Sequence, residues 1–487
     1  MSQAAAAEAL DPVSETAGAT APQANQKTNG PPRIPLTRRL AYGVGELVVG
    51  IRQATFGIIL FPFYTDVVQL PPALVGAALA LGRIWDGLND PLVGWLSDRT
   101  RTRFGRRRPY LVAMALPLAL TFFAIWSPPV GDTERSSFIW LVAALCLFDV
   151  FFGFYSTPYL ALGAEMTSDY ADRARVVATR AVFHNIGLLL GGGGFLGLAA
   201  TFGGGHAGHA AAGAVFAGIM IAAALGAFFG TKEGATAPPA EAASLRALLT
   251  DLRSTLRLHS FRVLLGAFCL LLVGASINQA FSVYVFRDAF GAADRQGAVI
   301  GAYLLAATLS FPFWAWLAGK WGKNRAFEAC LWWSVTALCI SPFLGANLKL
   351  GAVLLFVGLS GFGAGGYVLP VAIVADIFDE DELETGQRRE GSFFGVWTLV
   401  MKLASAVGIA TAGLVLPALG YIPGADQQSA ETLWLLKLAW GPLASFFFVL
   451  TIVVMRRFPI TAHRHHQIQL ALLARRDSRA QQEAGDS

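Results

Sequence analysis

Charged side chains are scarce in this chain of 487 residues: Asp, Glu, Lys and Arg make up 14% of it, against 55% hydrophobic residues. A soluble domain carries roughly 25% charge, so this composition excludes one and makes the bilayer the natural solvent. Cysteine is sparse too. Cys146, Cys269, Cys330 and Cys339 sit inside apolar runs at spacings that suit neither a zinc site nor a disulfide framework, and read as packing residues. No nucleophile with its base and no converging set of metal ligands is legible, which argues against a membrane-embedded enzyme. His206 and His209 share a Gly-rich loop at i, i+3, but two ligands alone are weak evidence for a metal. The surplus of five positive charges is spread over short loops, so nucleic acid is not an expected partner. The first thirty-odd residues lack the compact apolar core of a secretory signal.

What the chain does have is apolar runs near the roughly 20 residues that a membrane span needs, one after another. They predict spans at 42–67, 71–97, 109–128, 137–166, 176–203, 209–230, 261–289, 296–319, 325–346, 349–377, 391–419 and 430–456. The longest internal polar stretch divides them six and six. The expected organisation is a disordered tail over 1–38, a six-helix bundle over 39–230, a linker over 231–260, a second bundle over 261–456 and a tail over 457–487. Lys and Arg concentrate after the even-numbered spans, as with Arg106, Arg107 and Arg108 after the second, which predicts that both tails and the linker are cytoplasmic. Two such bundles match by analogy the major facilitator architecture, in which two halves rock around a midplane site. The expected fold class is therefore an all-α membrane protein of twelve transmembrane helices in two six-helix bundles.

A carboxylate inside an apolar span costs roughly 2.5 to 3.5 kcal/mol, so each one is a functional candidate. The second span reads Arg83-Ile-Trp-Asp86-Gly-Leu-Asn89-Asp90. Spacing i, i+3, i+4 puts two carboxylates and an amide oxygen on one helical face, which suits H⁺ or Na⁺. The alternative is a structural network in which Asp86 and Asp90 pair with Arg83 or with a base on another span. Arg52, Asp149, Ser156, Arg180 and Lys402 are the candidate substrate contacts. Asp149 shares a face with Gly153 and Ser156, and Lys402 lies too deep to snorkel easily. Glu46, His184, Asn185, Asn278 and Gln279 are further polar groups inside spans. Asp98, Arg106 and Arg107 on one side and Asp376, Arg388 and Arg389 on the other are candidate gate latches across the cytoplasmic mouth.

These residues carry a family resemblance. The chain resembles the glycoside-pentoside-hexuronide cation symporters, the group of the melibiose permease, through Tyr42-Gly-Val-Gly45, Tyr64-Thr-Asp66, Arg83-Ile-Trp-Asp86 and Asn89-Asp90-Pro91. Pro158 to Glu165, Ala375-Asp376, Gly386 to Gly391 and Lys402 extend the match over nearly the whole transmembrane chain. The resemblance implies a cation site at Asp86, Asn89 and Asp90, and basic cavity residues at Arg180 and Lys402. It also shows departures. A family threonine of the cation site falls at Gly153, which tilts the ion toward H⁺, and the two sugar-binding carboxylates fall at Gly50 and Ser156. Asp149, Glu46 or Gln53 are the candidates to substitute for them.

The expected function is cation-coupled symport of a small glycoside, sugar or uronide by alternating access, with a lysophospholipid or other amphiphile as the alternative substrate. No cofactor is expected beyond the coupling H⁺ or Na⁺, and no metal beyond Na⁺. The expected partners are the small-molecule substrate and the lipid bilayer, with the chain a monomer in the bacterial inner membrane.

Overall fold

The computed structural model describes residues 34–100, 102–129, 133–167, 169–232, 254–291, 295–344, 350–387, 389–425 and 427–485. Most of the expected linker, and all of the expected N-terminal tail before Ile34, lie outside them. Among the described residues the chain is helical, in the order α1 (Leu36–Val67), α2 (Pro72–Arg99), α3 (Arg108–Trp126), α4 (Glu134–Glu165), α5 (Asp172–Thr201), α6 (Gly205–Gly230), α7 (His259–Ala289), α8 (Gln296–Trp321), α9 (Lys323–Cys339), α10 (Gly351–Thr385), α11 (Glu390–Ala418), α12 (Ala430–Met455) and α13 (Ala462–Gly485). The first helix starts at Leu36, inside the segment expected to be tail.

Ten of these helices are long and apolar enough to cross a membrane by length and composition. The other two of the twelve spans fall short for visible reasons. Helix α2 carries Arg83, Asp86, Asp90, Asp98 and Arg99, and α9 has only 17 residues before the short Ser341–Phe343 turn. Side chains close several helix starts: Thr133 accepts from the Ser136 amide, Asp169 from Asp172 and Ser429 from Thr432, each satisfying an orphan N–H of a first turn. Helix α1 is irregular where it passes the middle of the bundle. Two π-helical turns, Thr55–Ile59 and Phe63–Val67, flank Pro62, which lacks the N–H that a regular ladder needs.

Helices α1 to α6 pack among themselves, as do α7 to α12. The two halves meet through α1 against α7 and, along two longer seams, through α2 against α11 and α5 against α8. Both seams depend on glycine. A methyl group added at Gly76 would stand 2.9 Å from the Cα of Gly413, and one at Gly193 would stand 2.9 Å from the Cα of Gly297, so no side chain fits between the backbones. All four glycines lie toward the bundle end opposite Leu36 and Met455. Toward the Leu36 and Met455 end, added methyls at Gly94 on α2 and at Gly391 and Gly395 on α11 would meet nothing within 4 Å. The seam between α2 and α11 is thus tight at one end and loose at the other.

Candidate functional site

Four helices bring five charged groups together in the middle of the bundle. Arg52 of α1 points one guanidinium nitrogen at Asp149 of α4, at 2.7 Å, and at Asp86 of α2, at 3.2 Å. From the other half, Lys402 of α11 places its ammonium 3.0 Å from Asp86 Oδ1 and 2.7 Å from Asp90 Oδ2. The same ammonium donates to the Asp86 carbonyl at 3.2 Å. Asn89 Nδ2 donates to the Asp149 carbonyl at 3.3 Å, which ties α2 to α4 one turn from the acids. Asp86, Asn89 and Asp149 are buried. The Arg52 guanidinium also lies over the Phe152 ring, 4.4 Å from its centroid, which compensates part of its lost hydration.

The helical spacing of Asp86, Asn89 and Asp90 does put them on one face, but the two acids are not a bare pair. Their bases come from other spans, Lys402 and Arg52, rather than from Arg83 one turn away. Arg83 makes no ion pair within 4 Å among the described residues and lines, with Arg52 and Asp149, a cavity of about 20 Å³. The expected substrate contacts divide. Arg52, Asp149 and Lys402 belong to the network above, whereas Arg180 lies 3.3 Å from Glu46 in a second cluster with His184. Ser156 is half-buried on α4 and makes no hydrogen bond among the described residues.

Two departures from the resembling family have a steric cause. A side chain at Gly50 would run into the His184 carbonyl and stand 2.9 Å from the Cα of Gly187, because α1 and α5 touch there, so a carboxylate has no room. At Gly153 a Cβ would stand 2.8 Å from Asn89 Nδ2. The amide thus occupies the space that a longer residue would fill.

Beside the charged network lies a cavity of about 340 Å³ between the halves. Its polar groups include Gln53, Asn278, Gln279, Tyr303 and Tyr367, and its apolar walls include Leu188, Ile300, Leu304, Trp440 and Phe448. Among the described residues no charged side chain lines it. Asn278 donates to the Trp440 carbonyl at 3.0 Å, while the side-chain amides of Gln53 and Gln279 make no hydrogen bond among the described residues. Consecutive residues of α1 serve both places: Arg52 faces the charges and Gln53 the cavity.

A family model described as MFS/sugar transport protein matches residues 41–462. The chain belongs to this family. Among curated relatives, the transporter is 25% identical to the isoprimeverose transporter of Lactiplantibacillus pentosus, over 85% of this chain and 87% of the relative. It is 24% identical to the sodium-dependent lysophosphatidylcholine symporter 1-A of Danio rerio, over 90% and 89%. Its fold matches the solved structure of the nucleoside transporter NupG with a TM-score of 0.61 at 13% identity, covering 85% of this chain and 99% of that one.

Several of the latch residues of the transporter have partners within their own halves. Arg106 and Arg107 reach Glu165 at 2.8 and 3.5 Å, and Arg107 donates to Ser97 at 3.0 Å. In the other half Asp376 binds Lys323 at 2.5 Å and Arg389 grips Asp381. Arg388 and the Asp98 side chain lie outside the described residues. At the opposite end of the bundle the structure contains an ionic closure that sequence reasoning missed. Asp66 binds Arg287 at 2.7 Å, Tyr421 donates to Asp66 at 3.3 Å, and the hydroxyls of Thr65 and Tyr284 are 2.5 Å apart. Its sequence signals were Asp66 at the end of the first span, within Tyr64-Thr-Asp66, and an Arg287-Asp288 dipeptide ending another span on the side otherwise poor in basic residues. His206 and His209, weighed above as metal ligands, lie in an aromatic cluster. The His209 ring is 4.7 Å from that of Phe63 and its Nδ1 bonds the Gly205 carbonyl at 2.7 Å.

Proposed function

We propose that this protein is a cation-coupled symporter of a neutral, sugar-sized solute, with Asp86, Asn89 and Asp90 as the cation site and the cavity beside Gln53 as the solute site. The observation that carries this reading is the Lys402 ammonium clamped between Asp86 and Asp90 from the opposite half. A single positive charge at that point offsets the repulsion between the two acids, so H⁺ or Na⁺ arriving there takes over the role of the lysine. The lysine is then released, and with it a tie between the halves. An acid pair with neither partner would repel, which disfavours movement without a cation.

The solute follows from the cavity. At about 340 Å³ it is at the small end of the roughly 300–1,000 Å³ usual for ligand sites, the size of a small glycoside. Two amides with spare donors and acceptors suit hydroxyls, and the Tyr303, Tyr367 and Trp440 rings suit the apolar faces of a sugar. An uncharged lining favours a neutral glycoside over a uronide. The mostly apolar wall supports a second reading, an amphiphile whose chain lies against Leu188, Ile300 and Leu304. With the basic loops cytoplasmic, the closed end faces outward and the chain, a monomer of the cytoplasmic membrane, rests open to the cytoplasm.

Thermal stability of the purified protein in detergent tests this, with glycosides, uronides and lysophospholipids, each with and without Na⁺ and at two pH values. The reading requires stabilisation by a neutral glycoside that grows with Na⁺ or acidification and disappears in Asp86→Asn. Stabilisation by lysophospholipids alone selects the amphiphile, and a cation response that survives Asp86→Asn removes the cation site.

A further inference from the structure

A second buried charged cluster stands apart from the network just described, less than two turns from it along α1. Glu46 is buried, with Oε2 3.3 Å from Arg180 Nε and Oε1 3.3 Å from His184 Nδ1. Neither approach has the angular geometry of a hydrogen bond, and both Glu46 Oε2 and His184 Nδ1 are buried atoms without a hydrogen-bond partner among the described residues. Two unsatisfied polar atoms in one apolar setting cost roughly 1–3 kcal/mol each, so a native structure that keeps them invites a missing ligand.

Other groups around Glu46 do not satisfy it. The tyrosines of α1 and α4 pack against it, but their protons are committed to backbone carbonyls. Tyr155 donates to Gly45 at 2.8 Å, Tyr159 to Tyr42 at 2.7 Å, and Tyr42 to Tyr159 at 3.2 Å. Glu46, Tyr42, Tyr155, Tyr159, Arg180 and His184 are the titratable and charged groups that meet there, from α1, α4 and α5. The neighbouring α6 contributes Ala227. The frame is rigid, because the same His184 offers its backbone carbonyl to the close contact at Gly50 that locks α5 onto α1.

We propose that Glu46 and His184 form a proton-binding site, separate from the site at Asp86 and Asp90. A proton on the imidazole turns the approach at Oε1 into a charge-assisted hydrogen bond between His184 and Glu46, while Arg180 keeps Oε2. His184 is 25% exposed at its side chain and Arg180 34%, whereas Glu46 is buried. No bond other than that to the proton is made or broken. The site therefore makes the protein pH-sensitive even when the coupling site is saturated.

The test uses full-length protein in detergent at saturating Na⁺ and without substrate, so that it stands or falls independently of the symport reading. Melting temperature and pH-difference infrared spectra are recorded across roughly pH 5 to 8 for the wild type, His184→Gln, Glu46→Gln and Asp86→Asn. The expected result is a histidine and carboxylate difference signal with a matching step in stability in the wild type and in Asp86→Asn. In His184→Gln both are gone, and in Glu46→Gln the midpoint moves down by about one pH unit, a tenfold loss of proton affinity. An unchanged signal and step in both His184→Gln and Glu46→Gln overturn the proposal, as does their disappearance in Asp86→Asn. Each of the two pair variants reads the same proton, so either one suffices if the other does not fold.

Discussion

Asp66 Oδ2 and Arg287 Nη1 lie 2.7 Å apart, joining the last turn of α1 to the last turn of α7 across the two halves. Tyr421, which follows α11, adds its hydroxyl to both, within 3.3 Å of Asp66 and 2.5 Å of Arg287. The closure sits at the bundle end where the glycine seams are tight. It joins the two halves at that end.

Arg287→Ala should loosen that end. Losing a hydrogen bond to a charged group is worth about 1.5–3 kcal/mol, so the closed-to-open ratio should fall roughly ten- to a hundredfold. Labelling of a cysteine introduced at Ser282, in a background without the native four, by a reagent confined to the outside would then speed up. An unchanged labelling rate would mean that the glycine seams alone keep the end closed.

Lys402→Ala removes the ammonium between Asp86 and Asp90. The two acids should then bind an external cation more tightly, so that less Na⁺ or H⁺ is needed for the same thermal stabilisation, while transport is lost because the halves are no longer tied to cation occupancy. A cation response that disappears with the lysine would show that Lys402 helps to hold the ion instead of competing with it.

Arg52 and Asp149 should behave as a unit. Removing one partner of a buried pair leaves an uncompensated charge and costs about 3–5 kcal/mol, so Arg52→Gln and Asp149→Asn should each destabilise strongly. The double variant should recover a large part of the loss, and a double-mutant cycle in urea or heat measures the coupling. Simple additivity would place the two side chains out of contact.

Gln53→Ala and Gln279→Ala should weaken solute binding by roughly ten- to a hundredfold each, the worth of one or two hydrogen bonds. Neither should change the stabilisation by cation alone, because neither touches Asp86, Asp90 or Lys402. Isothermal titration with the glycoside that the stability screen selects gives the answer. A pure cation defect would reassign both residues to the coupling site.

Gly50→Asp, which restores a carboxylate where the resembling family has one, should fail to fold. Its Cβ has no space against the His184 carbonyl and Gly187, and overpacking of this kind costs 1–3 kcal/mol or more before the buried charge is counted. Size-exclusion profiles of the solubilised variant check this. A well-folded Gly50→Asp would show that α1 and α5 can part.

Much of this protein was legible before its structure. Hydropathy runs are local, and a span is recognised from its own residues, so the predicted segments coincide with α1 to α12 to within several residues at most ends. The one-face arrangement of Asp86, Asn89 and Asp90 follows from helical period alone. The network could not be read in the same way, because an acid on one helix does not specify which of several bases on others it will meet. Arg83 was as good a partner for Asp86 on spacing as Arg52 or Lys402, and Arg180 looked as available to the substrate as Arg52. The choice is made by how closely the helices approach. Where glycines let backbones touch, at Gly50 with Gly187 and at Gly76 with Gly413, neighbouring side chains are set in register across the gap. That register brings Lys402 to Asp90 and Glu46 to His184, and it leaves no room for a carboxylate at Gly50. The spans and the charges inside them follow from the order of the residues alone. Tertiary packing decided which charge answers which, since pairing depends on distances between helices that no local pattern encodes.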